Sequence, residues 1–482
     1  MERSIVRTIA FAAVIVLIGI TKADPDLFGH VRFGGDILRS GIPEHDPYSF
    51  TSDIPWVNHE WLAEVVMWLA WAAGGGAGLI VMKLIVLAAV VWLAWSALAP
   101  AVLPAWATEA LLLVLLFGTW LRTAVIRPQL FSILLFTLLV WILQSASRGH
   151  PRRLFWLPPI FAVWINCHGG WIVGFGTFAL WLMLTVLAGR RPPAMTPLVG
   201  VAAACTGALL FNPYGAHMLL FIADTVRFGR SDITDWQPIW HSGISLLLWS
   251  ATASIALVIL VRRRRRVPLA HAAIAIGLGL AAVRVVRLDA FFAIAVVVLL
   301  GPALGDASAT EASPRHRRME RRTLAAAMLL VAVAVATVAR VPLSCVAMDP
   351  AWAPDREAGA FLEANRLKGR LLTWFDWGEF AIWHYGPALL VSMDGRRETV
   401  YSARVLSESD ALAWRPAENV SILDAWNPDY AWLPKHLPLA RTLEARGWHT
   451  LFSGPVSSVL AREAHAVLPP SPVAGRGCFP GP

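Results

Sequence analysis

The chain has 482 residues, of which 57% are hydrophobic and 15% charged, with a formal net charge of +9. Soluble domains carry about 25% charged residues, and apolar runs able to cross ~30 Å of hydrocarbon recur along this chain, so a soluble enzyme is excluded. Nor does the basic excess signal nucleic-acid binding: residues 1–340 carry +11 and residues 341–482 carry −2, which assigns the positive charge to the loops of a membrane domain.

In chain order, apolar segments predict an α-helical polytopic membrane protein of about eleven transmembrane helices. They lie near 6–23, 77–97, 105–121, 124–144, 154–168, 170–188, 196–211, 243–261, 267–285, 288–305 and 323–341. Basic clusters stand at Arg3/Arg7, Arg148/Arg152/Arg153, Arg190/Arg191, Arg262 to Arg266 and Arg315 to Arg322. With the N-terminus in the cytoplasm every cluster falls on the inner face, as positive-inside loops require. The first span is followed by acidic Asp24-Pro25-Asp26, with no small-residue cleavage site, and reads as an anchor. Arg outnumbers Lys 37 to 4 and Ala is abundant, as in GC-rich bacterial genomes, so the expected location is a bacterial cytoplasmic (inner) membrane.

The predicted transmembrane domain covers residues 1–341, with outer loops at 24–76 and 212–242. In the first loop, Leu27 to Leu38 reads as a short amphipathic segment. Glu60 to Ala72 reads as a helix ending at Gly74-Gly75-Gly76. An odd number of spans places residues 342–465 outside, where helix-like stretches alternate with apolar runs at 371–375, 388–393, 430–434 and 457–461. That pattern suits a small extracytoplasmic α/β domain. Residues 466–482, rich in Pro and Gly, read as a disordered tail. Cys345 and Cys478 share the oxidising compartment and could pair, although the second stands in that tail. Cys167 and Cys205, at or in spans, behave as small apolar groups.

The polar residues at the outer ends of the spans carry the chemistry. Arg122, Arg127, Arg284 and Arg287 sit outside, against the positive-inside bias, and guanidinium forks bind phosphate in a bidentate way. Asp24 and Asp26 open the first loop and could remove a proton from a hydroxyl. His30, Asn58, His59, Glu60, Asn166 and His168 follow as groups able to position a substrate. The bland alternatives are arginines that snorkel to headgroups and aspartates that cap a helix. No zinc-ligand spacing occurs, and no cofactor is required by the sequence. A divalent cation (Mg2+ or Mn2+) held weakly by Asp24 and Asp26 is the one metal the carboxylates admit. Gly170, Gly174 and Gly176 lie within a span and read as close helix packing.

Several blocks carry a resemblance. Asp24-Pro25-Asp26-Leu27-Phe28-Gly29-His30, Gly41-Ile42-Pro43, Asp46-Pro47-Tyr48-Ser49 and Trp56-Val57-Asn58-His59-Glu60-Trp61 resemble the first outer loop of a poorly characterised group of bacterial multi-span proteins. Arg127-Pro128-Gln129, Asn166-Cys167-His168-Gly169-Gly170, Asn212-Pro213-Tyr214-Gly215, Asp376-Trp377-Gly378 and Asp394-Gly395-Arg396 are similar to its further blocks. The group looks like the GT-C class of membrane glycosyltransferases. That resemblance implies a polytopic fold, an acidic motif in the first outer loop matched by Asp24 and Asp26, and a sugar donor on a polyprenyl phosphate. Members carry an aromatic pair before the histidine, where this chain has Phe28-Gly29.

The expected activity is transfer of a sugar from a polyprenyl-phosphate donor to a saccharide, lipid or protein acceptor at the outer face. The arginines would hold the donor phosphate, and Asp24 or Asp26 would serve as base. A transporter or flippase for lipid-linked saccharide is the alternative from a different class, and an envelope-assembly scaffold a third. A transporter should carry polar groups near mid-membrane, where Lys83 is the clearest charge.

Overall fold

In the computed structural model, the described residues are 21–188, 195–227, 233–305, 345–348, 352–470 and 478–479. The predicted first and last spans, 6–23 and 323–341, lie outside them except for residues 21–23. The chain forms two compact units: residues 1–21 with 80–343, and residues 22–79 with 344–482.

The first unit is helical. Its helices run over Ala105–Thr123, Gln129–Ser147, Leu157–Trp164, Trp171–Leu187, Met195–Ala208, His217–Arg227, Gly243–Arg262, Leu269–Arg284 and Asp289–Ala295. Among the described residues, four helical stretches are long and apolar enough to cross a membrane: Trp61–Ala101, Gln129–Ser147, Gly243–Arg262 and Val286–Leu304. The last of these is the unit's core, with residues 290–300 all buried and Phe291 edge-on to Phe136 at 4.8 Å. The segment predicted as a span at 154–168 is different. It is a 3-10 stretch, Pro151–Trp156, leading into the eight-residue helix Leu157–Trp164, about 24 Å in all, short of the ~30 Å of hydrocarbon. Small residues permit close packing where sequence suggests it, at Gly170 against Ser132 and Gly174 against Trp164, but Gly176 faces open space.

One helix, Trp61–Leu98, runs from the second unit into the first and breaks at the predicted glycine cluster. Gly75 has φ +58° and ψ −140°, a conformation essentially confined to glycine.

The second unit is built on a five-stranded sheet of order β4-β3-β5-β7-β6. Its strands are β3 (Gly369–Thr373), β4 (Leu389–Val391), β5 (Tyr430–Pro434), β6 (His449–Ser453) and β7 (Ser457–Ala461). β3 runs parallel to β4 and β5, while β7 is antiparallel to β5 and β6. β5 and β7 are buried along their whole length and pack through Leu433 and Leu460 against Leu412, Leu423 and Leu443 of the covering helices. The segment treated in sequence as a loop, 24–76, belongs to this unit. Its Ser49 bridges Val391 on the β4 edge; Phe50 donates its N–H to the Val391 carbonyl, and the Val391 N–H donates to the Tyr48 carbonyl. The short strand β1 (Lys22–Ala23), just before Asp24, pairs with β2 (Ala347–Met348).

Two residues of the predicted tail, 478 and 479, are among those described. Cys478 is joined to Cys345 by a disulfide, and Phe479 donates its N–H to the Val346 carbonyl. Its ring packs on Phe28 and Trp71 at 4.8 and 5.1 Å. A covalent tie and aromatic burial hold these residues of a segment whose composition alone signals disorder.

Candidate functional site

The acidic motif begins where β1 ends. Asp24 is fully buried, and Pro25 starts the helix Asp26–Ser40 with Asp26 in its first turn. Asp26 is partly exposed. Asp26 and His30 stand one turn apart on this helix. His30 Nδ1 lies 3.1 Å from Glu64 Oε1, whose other oxygen accepts a 2.6 Å hydrogen bond from Asn58 Nδ2. Asn58 Oδ1 in turn accepts from the Glu60 N–H at 3.0 Å, and His59 Nε2 faces Glu60 Oε1 at 3.7 Å. The first-loop residues singled out in sequence thus form one chain of contacts.

The other half of this cluster comes from residues 376–401. Gly29 donates its N–H to Glu379 Oε2 at 3.1 Å. A Cβ at Gly29 would overlap the Glu379 carboxyl, which explains the departure from the aromatic pair: a side chain there would displace Glu379. A Cβ at Gly395 would likewise collide with Asp26 Oδ1 and come within 2.9 Å of Glu379 Oε1. Asp26 Oδ1 and Glu379 Oε1 therefore converge on the one point where a Gly395 side chain would begin.

Electrostatics separate these carboxyls. Burial pushes Asp26 up to about 6; His30 pulls it down, while Asp376, Glu60 and Asp394 push it further up. Burial also drives Glu379 well above the ordinary range, reinforced by Asp26 and Asp394 and opposed by the Arg396 charge. For His30, burial alone would favour the neutral ring, but the Glu64 hydrogen bond and the charges of Glu60, Glu64 and Asp26 outweigh it and raise the group to about 8. Near neutral pH the cluster thus presents an ionised Asp26 beside a protonated His30.

Arg396 staples the first loop to this region. Its guanidinium donates to Asp46 at 2.6 and 2.9 Å and to Asp394 at 2.9 and 2.7 Å. It also lies within 5.3 Å of the ring centres of Phe33, Tyr48 and Trp56. Tyr401 donates to Asp394 as well. Burial would raise Asp394, but the Arg396 charge and hydrogen bonds bring it below its usual range. Asp46, Glu379, Asp394 and Arg396 were outside the set of site residues chosen from sequence. The Asp394-Gly395-Arg396 block was the available signal.

The four outer arginines lie in the helical unit. Arg122 is buried, with Nε 3.2 Å from Asp289 Oδ1 and Nη1 bonded to Asp235. Arg287 donates Nη2 to His168 Nε2 at 2.8 Å and stacks over Trp236. The other nitrogen of His168 is 2.8 Å from Ser132 Oγ, to which Trp164 Nε1 also donates. Asp235, itself pushed up by burial, is brought below its usual range by Arg122, Arg287 and Arg127. Three of the four arginines thus surround one carboxylate, whereas Arg284 ends its helix exposed. Asn166 bonds the Ala162 and Phe211 carbonyls at 2.7 and 2.8 Å, tying two helix ends together. Among the described residues, no group of three or more His, Cys, Asp or Glu side chains is arranged to hold a metal ion.

No family model matches the chain, and no curated protein matches it in sequence. Its fold, however, is that of GT-C glycosyltransferases. The chain superposes on the oligosaccharyltransferase AglB of Archaeoglobus fulgidus, in complex with an inhibitory peptide and a dolichol-phosphate. The TM-score is 0.55 at 12% identity, covering 88% of this chain and 69% of that one. It superposes on ArnT from Cupriavidus metallidurans bound to undecaprenyl phosphate with a TM-score of 0.53 at 13% identity, covering 95% and 98%. Together with its apolar helices, this fold makes the chain a membrane protein.

Proposed function

We propose that the protein transfers a sugar from a polyprenyl-phosphate-linked donor to an acceptor at the outer face of a bacterial inner membrane. It would do so with a cytoplasmic N-terminus and its α/β unit outside. The observation that carries the reading is Asp26: a partly exposed carboxyl, ionised near neutral pH and flanked by protonated His30, in a chain with a GT-C fold. Asp24 is sealed, so of the two aspartates Asp26 is the base and Asp24 supports the turn.

Asp26 takes the proton of an acceptor hydroxyl as that oxygen attacks the anomeric carbon. The bond from this carbon to the phosphate oxygen breaks, its electron pair stays on the phosphate, and polyprenyl phosphate departs. Charge developing on a phosphate calls for guanidinium partners, the contribution on which such reactions depend most, and Arg127 and Arg287 of the helical unit are the arginines assigned to the donor phosphate. Arg122, already held by two carboxylates, fixes the cluster, and exposed Arg284 adds longer-range attraction for the donor. His30, Asn58, His59 and Glu60 orient the base, while Asn166 and His168 position the arginine side. No step requires a cation. If one binds at Asp24 and Asp26, EDTA will slow transfer and Mn2+ will restore it.

The test is Asp26→Asn in full-length protein, assayed with a radiolabelled polyprenyl-phosphate sugar. Transfer should fall at least about a thousandfold with the unfolding temperature unchanged. Full activity would overturn the assignment. Movement of the labelled lipid across vesicles without any new glycosidic bond would favour the flippase instead.

A further inference from the structure

The parallel strands β4, β3 and β5 end at one edge of the sheet. β3 comes first in the chain yet lies between the other two. The connections therefore diverge, and the crevice outside the carboxyl ends of β3 and β5 is a topological switch point, where open α/β sheets bind ligands. Residues at this crevice take no part in the acidic cluster of Asp26 and Glu379, except that Asp376 contributes to the field at Asp26.

Trp374 directly follows β3, Lys435 and His436 directly follow β5, and Trp414 ends the helix Ala403–Trp414. The three rings form a triangle. Trp374 and Trp414 are 6.2 Å apart at 86°, Trp374 and His436 6.3 Å at 79°, and Trp414 and His436 6.2 Å at 38°. Trp374 packs on the core of the sheet, whereas Trp414 is 49% exposed and His436 is exposed. Core packing accounts for Trp374 but not for an indole left half in water. Beside the rings, partly exposed Asp376 accepts from Trp374 Nε1 at 3.2 Å, leaving its other oxygen for a further donor.

Two perpendicular indoles with a carboxylate and an imidazole at the rim match one ligand chemistry. A pyranose presents an apolar C–H face and a rim of hydroxyls that both donate and accept. A phosphate would meet the Asp376 carboxylate. We propose that this corner is a saccharide-binding subsite, with the sugar face on Trp414 and its hydroxyls bonded to Asp376 and His436. The inference rests on the glycosyl-transfer reading in one respect: the bound sugar belongs to the acceptor, which makes the acceptor a saccharide or glycoconjugate.

Binding can be read without transfer. Full-length protein in lipid nanodiscs is mixed with neutral gluco-, manno- and galacto-trisaccharides, and saturation transfer to the ring protons is measured by NMR. At least one should give a signal, reduced at least about fivefold by Trp414→Ala and by Asp376→Asn, and partly restored by Trp414→Phe. Binding without transfer in the wild-type protein would sink the glycosyltransferase reading and leave the subsite standing. No signal from any trisaccharide, or a signal indifferent to Trp414→Ala, would overturn the subsite. So would brominated lipids that quench the wild type more than Trp414→Phe, since Trp414 would then be a bilayer anchor.

Discussion

The sharpest consequence of the acidic cluster is a pH profile whose acid limb can be moved by one residue. Asp26 acts only when ionised, so transfer should rise with pH through about 6. His30 is the one cation among the groups that shift Asp26; Asp376, Glu60 and Asp394 push the other way. Replacing His30 by Gln keeps a polar side chain and removes the charge. Side chains one helical turn apart lie about 5–6 Å from each other. At an effective dielectric near 20 their full charges interact by about 3 kcal/mol, an upper bound of about two pH units. The acid limb of His30→Gln should therefore move up by about one to two units. Initial rates with labelled lipid-linked donor, measured from about pH 4.5 to about 9, give both limbs. The wild-type rate should decline again above about 8, where His30 loses its proton. In His30→Gln that basic limb should disappear. An acid limb unmoved in this variant would show that the titrating group is not Asp26, and the assignment of the base would fail.

The same histidine makes a stability prediction. Its folded value, about 8, exceeds the unfolded 6.5. The stability that wild type gains over His30→Gln from this charge is fully present below about 6.5 and lost as pH rises through about 8; thermal unfolding at pH 6 and pH 9 checks the sign. Arg396→Lys should destabilise the protein by about 3–5 kcal/mol, because it leaves buried carboxylates without their bidentate partner; a change below about 1 kcal/mol in denaturant unfolding would refute the staple. Cys345→Ser with Cys478→Ser opens a loop spanning 133 residues of sequence separation, worth up to about 5 kcal/mol by chain entropy. Amide exchange in residues 22–29 should then quicken, since β1 and Phe28 pack on the residues this bridge retains. Unchanged exchange would show that the tail plays no part in holding the acidic motif.

Sequence revealed the elements whose cause is local and concealed the contacts whose cause is not. Apolar runs announce β5 and β7 because both faces of those strands are buried, and the glycine cluster announces the break at Gly75 because only glycine tolerates that backbone. The first-loop cluster of His30, Asn58 and Glu60 was visible as a density of polar residues after a span. Its completion was not: Gly29 meets Glu379 and Asp46 meets Arg396 across 350 residues each, and no period or spacing encodes such a pair. What the sequence did hold was an anomaly, a glycine where the resemblance implies an aromatic ring. The structure turns it into a constraint, because the space a side chain would fill at Gly29 is already occupied by the Glu379 carboxyl. The departure from the pattern and the glutamate that accompanies it are thus one feature. A chain bearing an aromatic residue at this position should lack a carboxyl at the position of Glu379, and its base should titrate without a second carboxyl beside it.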